Sequence, residues 1–143
     1  MLDRAIAFAA RMHEGQFDKG GKPYILHPLA VMHMLQTEDV ELQCIAVLHD
    51  VIEDTSADEW DLLDINMSDR VVSAVVALTK VYDQTYEDYK EVVFANRDAM
   101  RVKLCDLRHN SDLTRLKGVS EKDLTRAAKY AKFYHEIKER LND

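Results

Sequence analysis

Apolar residues recur at spacings of three and four along most of this chain, the periodicity of helices with one buried side. Leu2, Ile6, Ala9 and Ala10 mark a first amphipathic helix ending near His13, and an irregular loop runs from Gly15 to Pro23. Pro28 suits the first turn of a second helix, to about Gln36, because a proline there gives up an N–H that has no intrahelical partner. Thr37 is placed to cap a third helix, with Glu38, Asp39 and Glu41 complementing the positive end of its dipole. From Val40 that helix continues through Leu42, Cys44, Ile45, Ala46, Val47, Leu48, Val51 and Ile52. It has no polar stripe wide enough for a solvated face, so it is the predicted central, buried element.

Beyond it, Ser56 with Glu59 fits a capping box opening a short helix to about Ile65, and Ser68 caps the next. Val71, Val72, Val75, Val76 and Thr79 are rich in β-branching, yet their spacing is helical and no partner strand is visible. Thr85 with Asp88 opens a helix to about Asn96. A longer one is expected from about Asp98 to Leu116, stopped by Gly118. Ser120 with Asp123 starts the last, with Leu124, Ala127, Ala128, Ala131 and Tyr134 on one side. The expectation is an all-α fold, one compact helical bundle spanning residues 1–143.

The chemistry lies where the pattern breaks. His49 and Asp50, then Glu53 and Asp54, interrupt the apolar run of the central helix, and charged carboxylates in such surroundings are costly unless paired, hydrogen-bonded or bound to metal. His27 stands at a helix entrance upstream. Downstream, Asp106 lies on or beside the side traced by Val102, Cys105, His109, Leu113 and Leu116. Two imidazoles and two carboxylates suit a hard or borderline divalent ion, manganese first, with iron or zinc as alternatives. Glu53 lies one helical turn beyond His49, and Asp54 one turn beyond Asp50, where a carboxylate can move a proton to or from a reacting group. Lys103 and Arg108 read as surface cations.

Composition narrows the partners. An apolar content of 47% in 143 residues supplies a core, and a formal charge of −7 argues against broad attraction to nucleic acid or an anionic membrane, while leaving room for a local pocket that takes a small phosphorylated ligand. No run is long enough to span a membrane and the start lacks a signal-peptide pattern, so the expected location is cytoplasmic. Cys44 and Cys105 sit in apolar helical patterns and read as reduced core thiols. The oligomeric state is left open.

Several segments together carry a resemblance: His13-Glu14-Gly15-Gln16, Gly21-Lys22-Pro23-Tyr24-Ile25-Leu26-His27-Pro28, Leu48-His49-Asp50-Val51-Ile52-Glu53-Asp54-Thr55, Leu78-Thr79-Lys80, and Lys103-Leu104-Cys105-Asp106-Leu107-Arg108-His109-Asn110. With these the chain resembles the HD superfamily of metal-dependent phosphohydrolases, and within it the hydrolase domain of RelA/SpoT homologues and the stand-alone small alarmone hydrolases. The resemblance implies an HD-domain helical fold and removal of the 3′-pyrophosphate of an alarmone such as ppGpp. It implies His27, His49, Asp50 and Asp106 as manganese ligands, Glu53 and Asp54 as the catalytic acidic pair, and Lys19, Lys22, Tyr24 and Asn110 as nucleotide contacts.

Two departures stand out. Asp18 occupies a position where the family commonly has a basic residue associated with gripping the nucleotide, which opens the base to adenine as in ppApp. Leu107-Arg108 stands where the larger family often has Arg-Leu. The competing functions are an HD phosphohydrolase acting on NADPH or a nucleoside monophosphate, and a non-catalytic module that binds an alarmone.

Overall fold

The computed structural model describes residues 1–142, and its elements are helices: α1 (Leu2–Met12), α2 (Leu26–Met34), α3 (Val40–Leu48), α4 (Val51–Asp54), α5 (Glu59–Asp64), α6 (Asp69–Ala77), α7 (Tyr86–Phe94), α8 (Arg97–Asn110), a 3₁₀ turn η1 (Leu113–Arg115) and α9 (Glu121–Asn142). Among the described residues no β-strand forms; Phe17 and Pro23 make an isolated antiparallel bridge that pinches the loop after α1. The all-α expectation holds.

Helix α3 is the axis. Leu42 and every residue from Cys44 to Leu48 have lost all solvent exposure, because α1, α2, α6 and α8 each pack against this helix. Phe133 and Ile137 of α9 close the core from the far side, on top of α7 and α8. Truncating a fully buried leucine or isoleucine of α3 to alanine costs about 2–5 kcal/mol, the transfer free energy plus the cavity left behind.

The caps show where sequence expectation and structure part. Asp39, not Thr37, caps α3 by accepting from Leu42 N–H, while the Thr37 hydroxyl accepts one step earlier, from Asp39 N–H. The capping box of α5 is built by Asp58 and Asp61 rather than Ser56 and Glu59. Ser68, Thr85 and Ser120 do cap as expected, the last exchanging hydrogen bonds with Asp123.

Three larger differences shape the site. The central helix is not continuous: it ends at Leu48, and His49 and Asp50 form a turn before α4 resumes, with Asp54 N–H still donating to the Asp50 carbonyl. Neighbouring residues on an unbroken helix point about 100° apart, so the break allows His49 and Asp50 to face the same point.

Helix α8 ends at Asn110 rather than Leu116, since Asp112 caps η1 instead. Leu113 and Leu116 keep their three-residue spacing, which also fits a 3₁₀ turn. The inward side of α9 carries Tyr130, Phe133 and Ile137, whereas Leu124, Ala128 and Ala131 face solvent. The small apolar residues pointed to the wrong face because the bulky aromatic stripe outweighs them in packing area.

Candidate metal centre

His27 in the first turn of α2, His49 and Asp50 at the α3–α4 break, and Asp106 in α8 come from three separate segments, and their donor atoms all lie within 4.8 Å of one another. His27 Nε2 is 2.8 Å and His49 Nε2 3.2 Å from Asp106 Oδ1, while His49 Nε2 is 3.0 Å from Asp50 Oδ2. Both imidazoles and the Asp106 carboxylate are almost fully buried.

The remaining ring nitrogens are occupied on the outer side. His49 Nδ1 donates to the Ala46 carbonyl at 2.6 Å, and His27 Nδ1 lies 2.7 Å from His109 Nδ1. Each ring therefore turns Nε2 inward, the arrangement found for metal-bound histidines. Two nitrogen and two carboxylate donors, with no sulfur, fit a divalent cation of the hard or borderline kind.

The electrostatics agree with a site built for positive charge. Burial works against the charged form of His49, but the Asp50 and Asp106 carboxylates outweigh it and raise its pKa well above the ordinary value. Burial pushes Asp106 up, yet the Lys103 ammonium and His49 bring it well below the usual carboxylate range. Lys103 is thus no surface cation: its Nζ sits 2.9 Å from Asp106 Oδ2 and 5.3 Å above the Tyr89 ring. Arg108 is exposed, as expected, so the exchanged Leu107-Arg108 order turns a cation to solvent.

Glu53 and Asp54 lie at the rim. Glu53 Oε1 accepts from Lys80 N–H at 2.6 Å, and the Asp54 carbonyl accepts from Gln16 Nε2. For both side chains desolvation is the largest influence and the negative charge of Asp50 adds to it, so both pKa values are raised.

Gln16 is steadied in turn by His13 Nδ1 at 2.8 Å, which explains the pattern His13-Glu14-Gly15-Gln16 as a brace linking α1 to α4. The Tyr24 hydroxyl donates to Asp50 Oδ2 at 2.6 Å, and with burial and that carboxylate against its anion, Tyr24 stays protonated.

A cavity of about 380 Å³ opens beside this cluster. Lys19, Tyr24 and Asn110 line it, three of the four side chains named from sequence as nucleotide contacts. Lys22 is not in its wall: the side chain is exposed and its backbone N–H is bound to Asp18 Oδ1. Asn110 Nδ2 also donates to Asp106 Oδ1 at 3.0 Å, tying the cavity wall to the donor cluster.

Sequence reasoning missed Arg115 of η1 and Arg126 and Tyr130 of α9, which line the same cavity. Arg126 and Tyr130 lie one turn apart on the stripe that continues into Phe133 and Ile137, and that register was the available signal.

The described residues contain no helix long and apolar enough to cross a membrane. Cys44 and Cys105 are both free thiols.

Comparison with known proteins agrees with this architecture. Residues 5–109 match the family described as the HD domain. A GTP pyrophosphokinase of Myxococcus xanthus is 31% identical over 125 residues, covering 77% of this chain and 16% of that protein. The bifunctional (p)ppGpp synthase/hydrolase SpoT of Escherichia coli K12 is 34% identical over 122 residues, covering 76% of this chain and 17% of that protein. The chain thus spans about a sixth of the length of these curated relatives. A solved structure described as a metazoan ortholog of SpoT that hydrolyzes ppGpp superposes with a TM-score of 0.78 at 23% identity, over 99% of this chain and 91% of that one.

Proposed function

This chain belongs to the HD domain family, and from that premise we propose that it removes the 3′-pyrophosphate of a guanosine or adenosine alarmone, ppGpp or ppApp, with a divalent ion, manganese by preference, held by His27, His49, Asp50 and Asp106. One observation carries the reading: four donors from three segments, three buried and Asp50 half-buried, meet within 4.8 Å beside a cavity lined by cations, with the raised-pKa carboxylates Glu53 and Asp54 on the helix that follows Asp50. A divalent ion in such a site polarises phosphorus–oxygen bonds and acidifies water.

The chain's own groups account for the proton movements. Water adds to the phosphorus bonded to the ribose 3′-oxygen, the bond between that phosphorus and the 3′-oxygen breaks, and a free 3′-hydroxyl and pyrophosphate result. One member of the Glu53–Asp54 pair accepts the proton of the attacking water, and the other, kept protonated longer by its raised pKa, supplies one to the ribose oxygen. Tyr24 holds Asp50 in place through its donated hydrogen bond. Lys19, Asn110 and Arg126 provide the polar wall against which the phosphate chain lies. The intact acidic pair favours an enzyme over a binding module, since binding alone needs no proton transfer. Two free thiols, Cys44 and Cys105, support action in a reducing compartment such as the cytoplasm.

The test is incubation of the protein and manganese with ppGpp, ppApp, NADPH and nucleoside monophosphates, followed by identification of the product. Pyrophosphate from ppGpp or ppApp, abolished by a chelator, is the expected result. Turnover of neither alarmone, or orthophosphate released only from NADPH or a monophosphate, overturns the assignment.

A further inference from the structure

The cavity has two ends of different chemistry. Its inner end reaches His27, Tyr24 and Asn110 beside the donor cluster. Its outer end is walled by two short segments between the longer helices, the loop after α1 and the stretch around the 3₁₀ turn η1, through Phe17, Asp18, Leu113, Arg115 and Leu116.

These two segments are locked together. Asp18 Oδ2 meets Arg115 Nη2 at 3.4 Å, and Asp18 Oδ1 accepts from Lys22 N–H at 2.9 Å. Arg115 Nη1 donates to the His109 carbonyl at 2.7 Å, so the guanidinium is held from both sides. A Cβ at Gly20 would fall on the Arg115 carbonyl oxygen, which makes glycine the residue that allows the loop to dock there.

A cation-bearing plane fixed along its edges presents its face, and a guanidinium face stacks on aromatic rings in a way an ammonium cannot. One residue before Asp18, Phe17 lines the same cavity and is 66% exposed, an aromatic ring left largely open. Leu113 and Leu116, half-buried, extend the apolar floor.

We propose, resting on the nucleotide reading above, that Phe17 and Arg115 form the seat for the nucleobase, that Asp18 is a brace for Arg115 and takes no part in reading the base, and that the seat accepts guanine and adenine alike. A free carboxylate at this place would select guanine by accepting from its N1–H and 2-amino group. Asp18 has both oxygens engaged within the protein, and stacking faces carry no donor and acceptor code that tells one purine from the other. The aspartate that departs from the family pattern is therefore paired with a cation from the η1 segment, which offsets its negative charge at this end of the cavity.

The experiment is calorimetric titration of the protein with GDP, ADP and UDP, which reads base binding whether or not any pyrophosphate is hydrolysed. GDP and ADP are expected to bind within about threefold of each other and both more tightly than UDP, whose single ring offers less stacking area. Phe17→Ala and Arg115→Ala each weaken both purine nucleotides roughly tenfold. Arg115→Lys does not restore binding, as a purely electrostatic role would require, and Asp18→Asn, which keeps the loop hydrogen bond, gives a loss smaller than Arg115→Ala. Binding of neither purine nucleotide overturns the proposal. So does unchanged binding in the Phe17 and Arg115 alanine variants, full rescue by lysine, or a preference for GDP over ADP beyond about thirtyfold. Hydrolysis of the alarmones without these binding effects sinks the seat and leaves the hydrolase reading standing; the binding effects without hydrolysis do the reverse.

Discussion

The Nδ1 atoms of His27 and His109 lie 2.7 Å apart with their rings stacked at 4.9 Å between centroids. Only one of the two nitrogens can carry the shared proton. His109 is kept neutral, its pKa brought down to about 4 by burial and by the nearby positive charge of Arg115. With His109 Nδ1 accepting, His27 donates and keeps its Nε2 lone pair for the donor cluster.

His109→Phe keeps a ring against His27 but removes the acceptor. Manganese affinity, measured by titration calorimetry, is expected to fall by about ten- to a hundredfold, the usual cost of losing the partner of a metal-ligating histidine. Unchanged affinity with an unchanged circular dichroism spectrum would contradict the role.

Lys103→Met leaves the buried Asp106 carboxylate without the cation 2.9 Å from it. Breaking a buried pair from one side is expected to lower the stability of the metal-free protein by about 3 kcal/mol in urea unfolding. A loss under about 0.5 kcal/mol, typical of exposed positions, would return Lys103 to the surface role its sequence context suggested.

Glu53 and Asp54 have raised pKa values, so the folded chain holds their protons at a pH where the unfolded chain has released them. Their burden is absent below the unfolded carboxylate range and grows as pH rises through the folded values. Without metal, Glu53→Gln and Asp54→Asn are therefore expected to stabilise the protein at pH 7, each by about 0.5 kcal/mol or less at these partly exposed positions, and to make no difference near pH 3. Both variants lose hydrolysis while retaining manganese. Denaturation curves across that pH range check the sign; destabilisation at pH 7 would contradict it.

Arg70 joins three elements, reaching Asp39 and Glu41 at the start of α3 and Asp98 at the start of α8, each at 2.8 Å. The carboxylates are held below their ordinary pKa values, with Arg70 the leading cause for Asp39 and Asp98, so their contribution is present above the unfolded carboxylate range and is lost as pH falls through the folded values. Arg70→Ala is expected to cost about 1 kcal/mol at pH 7 and low salt, the upper part of the range for solvent-screened pairs. The cost shrinks in molar salt and on acidification. A cost independent of both would assign the effect to packing of the side-chain stem instead.

The donor cluster was legible in the sequence because His27, His49, Asp50 and Asp106 are residues that resist burial standing where the apolar pattern demanded it. The helix order and three caps were legible for a similar reason: Ser68, Thr85 and Ser120 each precede an apolar period with nothing nearby competing for the role. Thr37 and Ser56 failed because an aspartate two residues later, Asp39 and Asp58, accepts from the N–H groups of the true first turn, Leu42 and Asp61. The outer wall of the cavity stayed hidden. Leu113 and Leu116 continue the helical spacing past the true end of α8, and the match between Asp18 and Arg115 spans 97 positions that no local pattern connects.

Diffraction from crystals soaked in manganese, with an anomalous difference map collected at the manganese edge, tests the shared cation site most directly. One peak per chain is expected within bonding distance of His27 Nε2, His49 Nε2, Asp50 Oδ2 and Asp106 Oδ1, and it should vanish in Asp50→Ala crystals. A peak elsewhere, or none at these four atoms at saturating manganese, would contradict it.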